Sequence, residues 1–117
     1  QSYNAGETIE IKVTGTDLMS VNALSFALPY NPQDYEYAGI ELSDMKELEN
    51  LTNDRLHTNG DKALYPTFVN LGEKETIEGE GVRDLFIIKF KAKRKVRFNL
   101  QATDGFLVDK KLNILKF

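Results

Sequence analysis

Apolar side chains recur at every second residue in the most regular stretches of this chain, and that period restricts its fold more than any other feature. Ile9, Ile11 and Val13 alternate with Glu10, Lys12 and Thr14. Leu24, Phe26 and Leu28 alternate with Ser25 and Ala27. Phe86, Ile88, Phe90 and Ala92 share one side of a stretch whose other side carries Lys89, Lys91 and Lys93 at its far end. Val96, Phe98 and Leu100 repeat the pattern against Arg97, Asn99 and Gln101. Successive side chains of a strand point to opposite faces, so period two reads as half-buried strands. No segment sustains a helical period, so helices cannot supply the core.

Turn residues divide these stretches. Gly15-Thr16-Asp17, Asn59-Gly60-Asp61, Arg94-Lys95 and Asp104-Gly105 read as turns. Pro29-Tyr30-Asn31-Pro32 ends the second strand, because proline cannot donate to a ladder. Asn31 can accept from its own downstream backbone and Pro32 fixes φ, which makes a rigid turn. Tyr35, Tyr37 and Ile40 begin a third extended stretch, with Gly39 as a bulge. Over 43–56 the pattern changes. Asp44 followed by Glu47 resembles a capping box, and Met45, Leu48 and Leu51 would share one face of a short helix, with a loop as the alternative. Residues 63–71 are rich in Tyr, Phe and Val and form a strand, in which Pro66 implies an edge or a bulge. Residues 73–81 read as an acidic loop, and 106–108 and 112–115 as the last short strands. The expected architecture is all-β: an antiparallel two-sheet β-sandwich of jelly-roll topology with about eight or nine strands. Phe26, Leu28, Phe86, Ile88, Phe90 and Phe98 are its expected core.

A length of 117 residues suits one domain spanning 1–117. The sequence opens on Gln1 without a basic-then-apolar leader, which leads to the expectation of a segment excised from a larger multimodular protein. No apolar run approaches the roughly 20 residues of a membrane helix. The absence of Cys removes disulfides, thiol catalysis and most structural zinc sites. His57, the single histidine, gives at most one good zinc ligand and reads as a loop residue. Ser2, Ser20, Ser25 and Ser43 sit in no nucleophile-elbow pattern. Glu73, Glu75, Glu78 and Glu80 read as a solvated loop rather than a glycosidase pair. Oxygen donors cluster at 50–54, 59–61 and 104–109, but without calcium-loop spacing, and turn formation explains them equally. No catalytic residue, cofactor or metal is therefore expected, and the chain is not expected to be an enzyme.

Net charge is −3 but unevenly spread: residues 1–84 hold 16 acidic and 6 basic side chains, and residues 85–117 hold 2 acidic and 9 basic. Strands from the two parts that lie side by side would neutralise each other. Lys89, Lys91, Lys93, Arg94, Lys95 and Arg97 form a basic stripe without aromatic residues on the same face, and the overall pI is about 5.2, which speaks against nucleic acid. Lys89, Lys91 and Lys93 are the expected partner-binding residues, attracting an acidic protein. Tyr3, Tyr30, Tyr35, Tyr37 and Tyr65 are candidates for stacking on sugar rings. Asn50-Leu51-Thr52 is a glycosylation sequon.

Four segments carry a resemblance. Ala5-Gly6-Glu7-Thr8 before the alternating stretch, Leu24-Ser25-Phe26-Ala27-Leu28-Pro29-Tyr30-Asn31-Pro32 with Tyr35-Glu36-Tyr37, Gly79-Glu80-Gly81-Val82 leading into 85–93, and Ala102-Thr103-Asp104 through Asp109 stand in the order and spacing of the cohesin-like modules. Asn31 stands where that family usually has Asp. The sequence resembles this family from about residue 5 to 115, and the family's first strand would lie at or before Gln1. The resemblance implies a jelly-roll accessory module of a large secreted or cell-surface carbohydrate-active protein from a bacterium, such as a glycoside hydrolase. It implies protein–protein association, with a dockerin-like or other protein module as partner, or domain spacing. A carbohydrate-binding module with a polysaccharide ligand is the alternative.

Overall fold

The computed structural model describes residues 1–16, 21–43, 48–71, 81–109 and 111–116. Within them the chain forms twelve strands and no helix. They are β1 (Ser2–Tyr3), β2 (Thr8–Thr16), β3 (Val21–Tyr30), β4 (Tyr35–Leu42), β5 (Glu49–Asn50), β6 (Asn53–Leu56), β7 (Lys62–Tyr65), β8 (Thr67–Val69), β9 (Val82–Ala92), β10 (Val96–Arg97), β11 (Thr103–Asp109) and β12 (Ile114–Lys116). All pairings are antiparallel. A three-stranded sheet runs β2-β9-β4. A seven-stranded sheet runs β12-β11-β3-β7-β6, with β8 pairing both β3 and β5, and β1 pairs β10 separately.

Period-two alternation builds the sandwich. Ile9 lies opposite Phe90, Ile11 opposite Ile88 and Val13 opposite Phe86, all on the inner side of the smaller sheet. Leu24, Phe26, Leu28, Leu64 and Phe68 come from the larger sheet and meet them in one buried cluster. The aromatic rings interlock between the layers. Phe86 lies 4.7 Å from Phe68 and 6.2 Å from Phe26, centroid to centroid, and Phe90 is edge-on to Tyr30 at 4.9 Å. Two inner faces filling one gap in this way are the ordinary solution for amphipathic sheets.

Local signals decide the turns. Gly39 sits at φ 128° and the β4–β9 register shifts between Tyr37 and Gly39, so the expected bulge is there. Asn59-Gly60 closes the β6–β7 hairpin, with His57 N–H bonded to Asp61 C=O at 2.8 Å. Asn31 Oδ1 accepts from the Gln33 N–H at 2.9 Å, which is the Asx turn expected of it.

Other expectations are corrected. Gly15-Thr16 does not turn; β2 continues because Arg83 and Val82 pair opposite them, and Asp17 lies outside the described residues. Asp104-Gly105 is a bulge inside β11 rather than a turn, with Asp104 at φ 51° and a register shift between Thr103 and Phe106. Pro66 marks a break between β7 and β8 rather than an edge, since β3 flanks both on one side and β6 and β5 on the other. Its C=O still accepts from the Phe26 N–H at 3.3 Å. Of the helix expected in 43–56, Asp44, Met45 and Glu47 lie outside the described residues; Leu48 is buried and the chain after it is extended. Val96, Phe98 and Leu100 do pack on the core while Arg97, Asn99 and Gln101 are exposed, but the ladder ends at Arg97 and Phe98 is only half-buried. Splitting at Pro66 and several two-residue pairings raise the strand number above the expected eight or nine.

Candidate interaction faces

The sandwich presents two outer sheet faces, and they differ in chemistry. On the smaller sheet the outward residues are Thr8, Glu10, Lys12 and Thr14 from β2, Lys89 and Lys91 from β9, and Glu36 and Glu41 from β4. Lys89 lies opposite Glu10 on one side and donates to Glu41 Oε2 at 3.0 Å on the other. That hydrogen bond and the charge behind it raise the ammonium pKa above its ordinary value. Lys91 is exposed between Thr8 and Glu36. Lys93 Nζ donates to the Pro32 C=O at 2.7 Å, Arg94 pairs with Asp34, and Lys12 lies 3.5 Å from Asp84. The lysines expected to bind a partner thus stand among acidic side chains of their own sheet. The lengthwise charge asymmetry of the sequence becomes a mixed-sign, solvated face.

The outer face of the larger sheet is built from small side chains. Ala23, Ser25, Ala27 and Pro29 point outward from β3, and Ala63, Tyr65, Thr67 and Val69 do so from β7 and β8. Ala27 and Ala63 are 6% and 3% exposed although they face outward, because their neighbours stand above them. Ala27, Pro29 and Ala63 form the floor of a shallow depression of about 400 Å³, walled by His57, Tyr65, Lys62, Thr103 and Asp104. Hydrogen bonds order this face. His57 Nε2 and the Tyr65 hydroxyl lie 3.0 Å apart, and Ser25 Oγ and Thr67 Oγ1 lie 2.9 Å apart. Phe106 and Val108 pair with Ser25 and Ala23 and extend the apolar surface across β11 to the exposed Ile114 on β12.

This face is not identified from the sequence alone. The signal was present in the run of small residues at alternate positions, Ala23, Ser25, Ala27 and Ala63. Nothing local said that β3 and β7 would bring them together.

The polar side chains at the sandwich end do structural work. Tyr30 donates to Asp54 at 2.6 Å, and Lys62 pairs with the same carboxylate at 2.7 Å. Burial, then the bond to Asp54, pushes the Tyr30 phenol pKa well up. Burial raises Tyr35 and Tyr37 in the same direction. Tyr35 donates to Asn99 Oδ1 at 2.8 Å. None of the five tyrosines is fully exposed: Tyr30 and Tyr35 are buried, and Tyr3, Tyr37 and Tyr65 are half-buried. Among the described residues no three His, Asp or Glu side chains converge as a metal site. The oxygen clusters noted in the sequence act within turns: Asp109 accepts from the Lys111 and Asn113 backbone, and Asn50 from the Thr52 N–H. Ser20, Glu73, Glu75, Glu78 and Glu80 lie outside the described residues. Among the described residues no helix is long and apolar enough to cross a membrane.

No family model matches the sequence, and no curated protein matches it. Solved structures do match. A chain of the CaDoc0917–CaCohA2 complex superposes with TM-score 0.69 at 14% identity, over 97% of this chain and 85% of that one. The third cohesin of ScaC from Acetivibrio cellulolyticus, solved with the ScaB dockerin, gives 0.64 at 19% identity over 89% and 77%. The cohesin module of a family 33 glycoside hydrolase from Clostridium perfringens gives 0.62 at 16% identity over 98% and 87%. The chain has the cohesin fold, the jelly-roll sandwich that its sequence resembles.

Proposed function

We propose that this chain is a non-catalytic cohesin-like accessory module that associates with another protein through the outer face of its larger sheet. One observation carries the reading: a flat outward face floored by Ala27, Pro29 and Ala63, flanked by Tyr65 and Phe106 and continuous with the exposed Ile114. Small side chains let a partner's backbone approach, and a broad flat face suits a protein interface of about 800 Å² per side better than a small ligand. Burial of such a face around one or two aromatic anchors is where interface energy concentrates. The solved cohesins seen with dockerins support a dockerin-like partner. The Clostridium perfringens module supports a larger secreted or cell-surface glycoside hydrolase as parent, in which residues 1–117 are one domain used for association or spacing.

A second reading places the partner on the lysine stripe. Its support is the exposure of Lys91 and Lys93 on that side of the molecule, where an acidic surface could reach them. Calorimetric titration with a panel of dockerins separates the readings. The first predicts that Ala63→Glu weakens binding at least about tenfold, while changing Lys89, Lys91 and Lys93 to Glu has a small effect. The reverse ranking moves the interface to the smaller sheet. Binding to polysaccharide that is lost in Tyr65→Ala, with no protein ligand, favours the carbohydrate-binding alternative. No ligand of either kind leaves a spacer.

A further inference from the structure

Arg55 stands on β6 at the margin of the small-residue floor. Alternation sets its direction: Asp54 reaches inward to the buried Tyr30, so Arg55 points to the outer side. Arg55 lies directly opposite Ala63, and Ala63 lies opposite Pro29 on its other flank. One row across the larger sheet is therefore a long cation beside two residues too small to cover it. Tyr65 flanks that row on β7 and His57 flanks it just after β6, and their rings close to 6.1 Å. Arg55 is exposed, and among the described residues no carboxylate pairs with it. Asp61, two residues before Ala63, accepts from Asn59 within its own turn at 3.3 Å. The smaller sheet is the opposite case, since Lys12 and Lys89 each have a carboxylate on a neighbouring strand. The bond between His57 and Tyr65 adds a second donor to the row. When His57 Nε2 carries the hydrogen it donates to the Tyr65 oxygen, and the phenolic hydrogen is left for an outside acceptor.

Resting on the larger-sheet interface proposed above, we infer that Arg55 determines its specificity and that the partner protein presents an Asp or Glu side chain to it. The guanidinium offers a planar fork of N–H groups that matches a carboxylate. That carboxylate takes the fork on one side and the Tyr65 hydroxyl on the other, with His57 behind the hydroxyl. The floor of Ala27, Pro29 and Ala63 lets the partner's backbone come close enough for a short acidic side chain to reach. A rival partner with a cation at the same place meets the guanidinium instead, so the contact rejects as well as selects.

Calorimetric titration of the chain with a panel of dockerins, followed by a double-mutant cycle on the tightest binder, tests this. Ala63→Glu first establishes the face. Arg55→Gln is expected to lower affinity about tenfold or more and to flatten its salt dependence. Arg55→Lys is expected to recover only part of the loss, since an ammonium lacks the fork. In the dockerin each exposed Asp or Glu is changed in turn to Asn or Gln. One such change is expected to weaken binding about tenfold against the wild-type chain and less than about twofold against Arg55→Gln, a loss of effect that damage to the dockerin's own fold would not produce. An Arg55→Gln chain that binds within about twofold of wild type, while Ala63→Glu does not bind, overturns the role of Arg55 and leaves the interface standing. So does a dockerin scan in which every change acts equally on both chains. Binding insensitive to both Ala63→Glu and Arg55→Gln, or no binder in the panel, removes the interface itself and the role of Arg55 with it.

Discussion

Phe90 is fully buried and meets Tyr30, Tyr35 and Tyr37 edge-on at 4.9, 6.2 and 5.9 Å. Truncating it leaves a cavity bordered by three rings, two of which, Tyr30 and Tyr35, cannot collapse inward without breaking their bonds to Asp54 and Asn99. Phe90→Ala is expected to cost about 3–5 kcal/mol in urea unfolding, and a loss under about 1 kcal/mol would show that the site is loosely packed. Alternation alone placed Phe90 inside, along with Phe26, Leu28, Phe86 and Ile88. It over-buried Phe98, because it could not say that the ladder stops at Arg97. The tyrosine partners were not legible at all: Asp54 lies 24 residues from Tyr30, and Asn99 lies 64 from Tyr35. Those contacts set a pH dependence. The folded state holds the Tyr30 phenol protonated above its ordinary value, by burial first and the Asp54 bond second. A raised pKa gives stability that is intact below the unfolded value of about 10 and lost as pH rises past it. Tyr35 and Tyr37 act in the same sense. The urea midpoint should therefore fall between about pH 9 and 11, and less steeply in Tyr30→Phe. Parallel curves for the two proteins would remove Tyr30 from the account.

Elements were readable where one residue type has one use. Asn59-Gly60 is a hairpin turn and Gly39 is a bulge, as their chemistry requires. They were misread where two structures make the same backbone demand. Asp104-Gly105 suits a turn or a bulge equally, since Asp accepts the positive φ that either one needs, and only the pairing of β11 with β3 decides. Gly15 and Thr16 carry turn chemistry, yet the length of β9 opposite keeps them in a ladder. At Gly39 the constraint is conformational alone, because a Cβ there would meet nothing within 4 Å at φ 128°. Gly39→Ala should cost about 1–2 kcal/mol without any steric clash. A neutral substitution would mean that β4 can shed its bulge. Asp109 holds the β11–β12 turn through three bonds, to the Lys111 N–H, the Asn113 N–H and Asn113 Nδ2. Asp109→Ala is expected to speed amide exchange across β12 while leaving β9 protected.

For the whole molecule, periodicity says which side chains leave the core but not which outward faces come together. The basic stripe was conspicuous in sequence because its charges are consecutive, and in space Glu10, Glu36 and Glu41 surround it. The small-residue face was inconspicuous because Ala27 and Ala63 are far apart in the chain, and β3–β7 pairing joins them. The proposed interface is that flat face of small side chains, whose breadth suits a protein partner better than a small ligand. The isolated chain is expected to show no hydrolysis of aryl glycosides or esters; turnover abolished by changing one carboxylate would refute the accessory-module reading. The face itself is best tested by titrating the isotope-labelled chain with a dockerin and following its amide resonances. The account predicts shifts at Ala27, Ala63, Tyr65 and Thr103 with Glu10, Lys89 and Lys91 unmoved; shifts confined to the latter three would contradict it.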